Sequence, residues 1–407
     1  MKKNEISVAI IGGGVMGIGL LATLNKNNIN CDLYEKYEDV GGTWHLNTFV
    51  NLKAQVPSGL YRYHNFTYER NINMPSGKQI KNYIKDYIDH NKIKTKINCN
   101  KNVYQIFNIV NKYVLVFTDN KQSKKYDYVI FTGTTFNPFI PKIFLNPKLG
   151  PVIIHSSELN KKTIDLIKNK KIIVYGGSKS SCDVVSALSG LNCNSNLLWV
   201  ARTFSSYTLN KKFYLMILNL FFKRFNLEKI FNINIAPDLG GINIGSGNVI
   251  TDDELTNILK VKKIRGIIEN INNDYCLINN KKYEYDYIIL CLGYEYKYPL
   301  IINYDKNTPR KAFYVPLIPF NNYNSFLKLL DSHIIGNILT KYFIEEPDMT
   351  PNDYIENFKN ENKYYLIIYY IFYILYHKNI PSFELFKIYF NLFFLIIILY
   401  FGTKILK

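Results

Sequence analysis

The chain has 407 residues, enough for two domains with sizeable cores. Lysine and arginine outnumber aspartate and glutamate by 50 to 32, a net charge of +18. These basic residues are scattered among asparagine, isoleucine and tyrosine and form no basic helix, zinc spacing or aromatic RNA-binding signature, which argues against nucleic acid as a partner. Cys31, Cys99, Cys182, Cys193, Cys276 and Cys291 form no CxxC, and the six histidines no HxxxH, so no metal site and no redox dithiol is expected.

The first predicted element is the apolar run Ser7 to Ile11, a buried parallel strand, followed by the turn GGGVMG and a helix from Val15 to Leu24. Gly12, Gly14 and Gly17 fill a GxGxxG pattern. The first glycine permits the tight turn, the second lets backbone N–H groups reach a pyrophosphate, and the third lets the helix pack close to the strand. The helix N-terminus adds partial positive charge. The next strand, CDLYEK, ends at Glu35, where a carboxylate meets a ribose hydroxyl. Only six residues precede the first strand, which leaves no room for a signal peptide.

Shortly after Glu35 come Gly41, Gly42, Thr43 and Trp44. This segment resembles the GGTW of the class B flavoprotein monooxygenases, the flavin-containing and Baeyer–Villiger monooxygenases. The resemblance implies FAD at the first turn, with the backbone of the glycine pair running against the flavin and Trp44 covering it; read alone, Trp44 would be a core aromatic. Where animal flavin-containing enzymes place an asparagine facing flavin and nicotinamide, NLKAQVPSGLYRY offers Gln55, an amide one carbon longer, as the catalytic candidate. Read alone, Gln55 is a loop residue.

YDYVIFTGTTFNPFIP, with Thr132 and Gly133, resembles the turn after which the family crosses from its flavin domain to its NADPH domain, and Pro138, Pro141, Pro147 and Pro151 punctuate that crossing. The family's linker motif, an aromatic and a glycine followed by a histidine, survives only as LGPVIIHSSEL, with Gly150 and His155 one residue too far apart.

A second strand, turn and helix follow in KKIIVYGGSKSSCDVV. Gly176, Ser178 and Ser181 stand at the three glycine positions, with Lys179 and Ser180 as in the family's NADPH turn. Both Ser178 and Ser181 are small and are expected to give hydroxyls to phosphate oxygens. The strand NLLWVAR ends at Arg202, whose guanidinium suits a 2′-phosphate where an acid would repel it. The variant GGSKS also sits one glycine short of a hydrolase nucleophile elbow, but nothing frames His333 or His377 as its partner. YDYIILCLGYEYKYP, with Gly293, resembles the return crossing, and Leu292 replaces the family's threonine.

These matches imply an α/β fold of two Rossmann-like dinucleotide-binding domains: an FAD domain in two parts, 1–146 and 284–345, with an NADPH domain inserted at 147–283. Residues 346–407 form a hydrophobic, predicted helical tail. Within it, Tyr364 to Tyr376 and Ile388 to Gly402 are intensely apolar runs, each short of the ~20 residues of a perpendicular span, with Lys387, Lys404 and Lys407 flanking the second. Membrane attachment on the cytoplasmic side is the expectation, with the endoplasmic reticulum as one candidate and a purely cytoplasmic protein as the alternative. The apolar run Phe213 to Phe222 reads as an ordinary helix. The resemblance implies an FAD- and NADPH-dependent monooxygenase that passes one oxygen of O2, through a flavin hydroperoxide, to a soft nitrogen or sulfur nucleophile. Baeyer–Villiger oxygenation, an NADPH oxidase and a non-catalytic flavin-binding protein are the other readings.

Overall fold

A computed structural model describes residues 6–361 except 47–51, 57, 60, 71, 73, 111, 133–134, 146–152, 192–195, 205–206, 210–247, 273, 298–299, 303–311, 315–327 and 346–348. In chain order the elements are β1 (Ser7–Ile11), α1 (Val15–Lys26), β2 (Asn30–Tyr34), α2 (Thr43–Leu46), α3 (Gly77–His90), β3 (Ile97–Asn98), β4 (Val103–Ile109), β5 (Lys112–Phe117), β6 (Gln122–Tyr126), β7 (Tyr128–Phe131) and β8 (Thr135–Pro138). They continue with β9 (Ile153–His155), α4 (Lys161–Ile167), β10 (Ile172–Tyr175), α5 (Lys179–Gly190), β11 (Leu197–Ala201), β12 (Tyr207–Leu209), β13 (Asn248–Ile250), α6 (Asp252–Leu259), β14 (Lys262–Arg265), β15 (Ile268–Ile271), β16 (Tyr275–Ile278), β17 (Lys281–Glu284) and β18 (Tyr287–Leu290). The last are β19 (Tyr294–Lys297), β20 (Leu300–Ile302), β21 (Ala312–Tyr314), α7 (Lys328–Glu345) and α8 (Pro351–Glu361).

Two parallel sheets organise the chain. The first has the order β21-β7-β1-β2-β3, the second β14-β11-β10-β18-β9. Their central strands are continuous apolar runs because both faces are covered: Val8, Ala9 and Ile10 are fully buried, as are Val174, Ile288 and Ile289. Each sheet has its own core, with Ile10, Leu20 and Ile84 in the first and Val174, Val185 and Trp199 in the second. The first and second sheets thus repeat one strand, turn and helix device.

The helices begin where the sequence gives them donors or acceptors. Ser76 and Gln79 form a reciprocal capping box at α3, and Thr251 and Glu254 another at α6. Helices α1 and α5 differ: their N-caps, Gly14 and Ser178, make no side-chain cap bond, and neither first turn carries an acid. Helix α1 is buried along Met16–Leu24 between the first sheet and α7. A Cβ added at Gly19 would meet Ser332 Oγ at 1.9 Å, and one at Gly336 would meet Thr23 Cβ at 2.7 Å, so glycine on both helices permits this close approach.

Strands β8 and β19 pair antiparallel, so the outbound and return connections between the sheets form one ribbon. Strand β18 completes the second sheet before the return. Among the described residues no helix is long and apolar enough to cross a membrane. The apolar runs 364–376 and 388–402, and the run 213–222, lie outside the described residues.

Candidate functional site

The first glycine turn sits between β1 and α1 with Gly12 at φ +111°, its N–H bonded to Tyr34 O at 2.9 Å on β2. Gly17 allows no side chain: an added Cβ would lie 2.0 Å from Gly12 O. Gly14 is the opposite case, since its Cβ would meet only Gly42 Cα at 3.9 Å. The space in front of the helix N-terminus is therefore open, and the free N–H groups of an uncapped first turn face it. Glu35, buried at 6% exposure, accepts from Gly13 N at 2.6 Å and Tyr37 N at 3.0 Å. The carboxylate is thus fixed beside the turn, at the place where the sequence expects a ribose ligand, and the open cradle fits an adenine dinucleotide.

Thr132, at the end of β7, donates its hydroxyl to Gly12 O at 2.9 Å and lies 3.1 Å from Ile11 O. Its hydroxyl therefore braces the turn. Gly133 lies outside the described residues.

From Gly14 the contacts lead to the predicted flavin-covering segment. Gly41 (φ +129°) donates to Gly13 O at 2.8 Å, and a Cβ at Gly42 (φ +54°) would lie 3.1 Å from Gly14 Cα. Thr43, exposed, starts α2. Trp44 is half-buried, donates to Tyr61 Oη at 2.7 Å and packs edge-on to that ring. Its indole also borders Gly77, whose N–H bonds Leu52 O at 2.8 Å, so Trp44 adjoins the loop that carries Gln55. Gln55 is half-buried between buried Ala54 and Val56 and makes an interaction within the protein. Lys53, two residues earlier, lies near enough for its charge to reach Asp183 on α5.

At the second turn, Gly176 has φ +138° and an added Cβ would meet Cys291 O at 2.4 Å. The buried indole of Trp199 donates to Gly176 O at 2.7 Å and fixes the turn from below. Ser178 and Ser180 are exposed at the start of α5 and stay available to an anion. Ser181 does not match the expectation. It is fully buried and its hydroxyl donates to Ser178 O at 2.6 Å, so it stabilises the first turn of the helix and gives nothing to a phosphate. Lys179 is likewise turned inward, its ammonium 2.5 Å from Asp183 Oδ1. Burial disfavours that charge, but Asp183 and Glu254 outweigh it and hold the lysine above its ordinary pKa. Arg202, exposed, follows β11.

Gly293 has φ +82° with nothing within 4 Å of an added Cβ, so conformation alone demands glycine. Its carbonyl accepts from Phe139 N at 3.0 Å and lies 3.0 Å from His155 Nε2. His155 Nδ1 accepts from Ser157 N at 3.2 Å, which assigns the proton to Nε2 and the donor role towards Gly293. Burial holds the imidazole pKa below its usual value and keeps it neutral. His155 therefore ties the outbound linker to the return turn. In the sequence His155 stands only in a linker motif whose spacing from Gly150 departs from the family's, which gives it no site role; Gly13 and Trp199 are legible only as neighbours of the motifs. Among the described residues no cluster of His, Cys, Asp or Glu could hold a metal, and the described cysteines are free thiols.

The family model of the pyridine nucleotide-disulphide oxidoreductases matches residues 6–301. The chain is 29% identical over 198 residues to a probable FAD-binding monooxygenase AlmA of an Acinetobacter species, over 46% of this chain and 40% of that protein. With rat dimethylaniline monooxygenase (N-oxide-forming) 4 it shares 24% identity over 375 residues, 82% of this chain and 67% of that protein. The solved structure of OTEMO in complex with FAD and NADP aligns at TM-score 0.62 and 14% identity over 89% of this chain and 86% of that one, a likeness of fold. The chain spans less than half the length of the first of these relatives. Family, relatives and fold together support FAD and NADPH as the cofactors.

Proposed function

The chain belongs to the pyridine nucleotide-disulphide oxidoreductase family, and from that premise we propose that it is an FAD- and NADPH-dependent monooxygenase of the flavin-containing type, which inserts one atom of O2 into a soft nitrogen or sulfur nucleophile. Despite the family's name, the chain has no CxxC and no cysteine pair close behind the first glycine turn to serve as an internal redox dithiol. One observation carries the reading: two uncapped helix N-termini of the same kind, one beside a buried carboxylate, Glu35, and the other followed by an arginine, Arg202. The acid suits a free ribose hydroxyl and the guanidinium a 2′-phosphate.

When bound, FAD supplies the hydride acceptor and the oxygen chemistry, and NADPH supplies the hydride. The protein's residues bind and orient. Gly12, Gly14 and Gly17 shape the FAD pyrophosphate cradle while Glu35 takes the ribose; Gly176, Ser178 and Ser180 shape the second. Trp44 and the Gln55 loop stand beside the first turn, where water must be kept out and an amide can hold a hydrogen bond to the reacting group. The two-sheet arrangement supports an NADPH-binding module inserted into the FAD-binding one, with the return after Leu290 instead of at residue 284.

The purified protein, given NADPH and a tertiary amine or a thioether, should consume O2 and form the N-oxide or sulfoxide. Gln55→Ala should lower product per NADPH by about a hundredfold, the cost of losing one preorganised polar contact, while NADPH consumption persists as hydrogen peroxide release. Peroxide as the sole product of the unmutated protein with every nucleophile tried would replace the oxygenase by an NADPH oxidase. The apolar runs at 364–376 and 388–402 support membrane attachment at the cytoplasmic face. Ending the chain after residue 361 should release the protein from membranes with flavin retained; a truncated protein still sedimenting with membranes would refute attachment by the tail.

A further inference from the structure

We infer that Arg265 is a second specificity-determining residue for the nucleotide 2′-phosphate, acting beside Arg202; this rests on the NADPH reading of the second turn. Strands β11 and β14 run parallel with Ala201 opposite Arg265, so both strands end at the same level of the sheet. The carboxyl end of such a sheet is where a dinucleotide lies. Gly266 N bonds Ala201 O at 2.9 Å and extends the pairing one residue past the strand. Arg265 does not simply extend into solvent: its Nε donates to Arg202 O at 3.2 Å, which lays the side chain across the end of β11. With Nε held, the terminal nitrogens of the fork remain for an anion.

The position is fixed from both sides. Asn279 Nδ2 donates to Arg265 O at 2.9 Å, and a Cβ at Gly266 would lie 2.5 Å from Asn279 Oδ1. On the other side, a Cβ at Gly177 would lie 1.9 Å from Thr203 O and 3.1 Å from Ala201 Cβ. The bend that carries Arg202 is thus pressed against the second glycine turn. Both arginines are exposed, and among the described residues neither forms an ion pair with a carboxylate. Two arginines at adjacent strand ends, one laid across the backbone of the other, offer two positive charges to a single dianion. A phosphate monoester supplies that dianion, and a free ribose hydroxyl does not.

The test compares two probes on the flavin-loaded full chain by calorimetry: adenosine 2′,5′-bisphosphate, which carries the 2′-phosphate, and adenosine 5′-monophosphate, which lacks it. Arg265→Gln and Arg265→Met should each weaken the bisphosphate by roughly tenfold or more and leave the monophosphate unchanged, as loss of one charge-assisted contact implies. Arg202→Gln should do the same, and the double variant should bind both probes alike. If Arg202→Gln shows the loss and both Arg265 variants bind like the parent, Arg265 has no part in recognition while the NADPH reading stands. Equal weakening of both probes by the Arg265 variants would make its role structural and overturn the inference. If the unmutated protein does not prefer the bisphosphate, the NADPH reading itself fails.

Discussion

Gly14 and Gly17 stand three positions apart in one motif, yet the space around them differs. Gly17 has none, because a Cβ would strike Gly12 O, whereas Gly14 has a φ of −74°, which any residue can adopt, and opens onto the cradle. Gly17→Ala should therefore cost folding stability, about 1–3 kcal/mol for an overpacked contact. Gly14→Val should leave the apoprotein's Tm nearly unchanged and abolish flavin binding, because its side chain fills the phosphate site. Absorbance of the purified variants and their thermal melts separate the two effects, and a yellow Gly14→Val protein would refute the cradle. A different residue-scale consequence concerns His333 on α7. Its ring stacks on His64 at 4.1 Å, lies against Thr23 and Asn337, and feels the charge of Lys26. Burial, followed by His64 and Lys26, holds its pKa down to about 4 from 6.5. Below pH 6.5 the unfolded chain takes the proton first, so this stability is complete above pH 6.5 and is lost as pH falls towards 4. Discounted for the ring's partial exposure, the effect is on the order of 1 kcal/mol. Melting His333→Gln at pH 7.5 and pH 5 should show a smaller drop in Tm than the parent shows; an equal drop would remove His333 from the account.

At the scale of elements, the seam between α1 and α7 depends on small residues from both helices. Gly336→Ala should push Thr23 aside and lower stability by about 1–3 kcal/mol, and adding Thr23→Ala should restore most of it, since the two sites share one contact. Denaturation of the single and double variants measures the coupling, and simple additivity would mean that the helices slide apart instead. This seam was not legible in the sequence. Strands β1, β2, β10 and β11, their helices and the glycine turns were, because a buried parallel strand followed by glycines leaves a local pattern. The docking of α7 on α1 joins residues more than 300 positions apart, and nothing local at Gly19 or Gly336 announces its partner. The same limit explains the site. Glu35 and Arg202 end strands and could be located by counting, whereas the inward turn of Lys179 to Asp183 and the internal bond of Ser181 depend on helix rotation. His155 was hidden by a one-residue change of spacing, although its role is set by the ribbon opposite it.

Across the whole molecule, the two sheets communicate through Gly293, whose carbonyl receives both Phe139 N and His155 Nε2. His155→Phe would keep a ring against Tyr294, which now packs edge-on at 5.0 Å, and remove the donor. The expected loss is about 1–3 kcal/mol of stability, the cost of leaving a partly buried carbonyl short of a partner, with flavin content unchanged. A melt identical to the parent's would show that Phe139 alone suffices. The arrangement of strands also dictates an order of assembly during synthesis. All five strands of the second sheet, β9 to β18, have emerged once residue 290 leaves the ribosome. The first sheet, begun at residue 7, still lacks β21 at Ala312–Tyr314, and α1 still lacks its cover, α7. The module that starts first is finished last, so the buried face of α1 must stay soluble, or in the care of a chaperone, while the inserted module folds ahead of it.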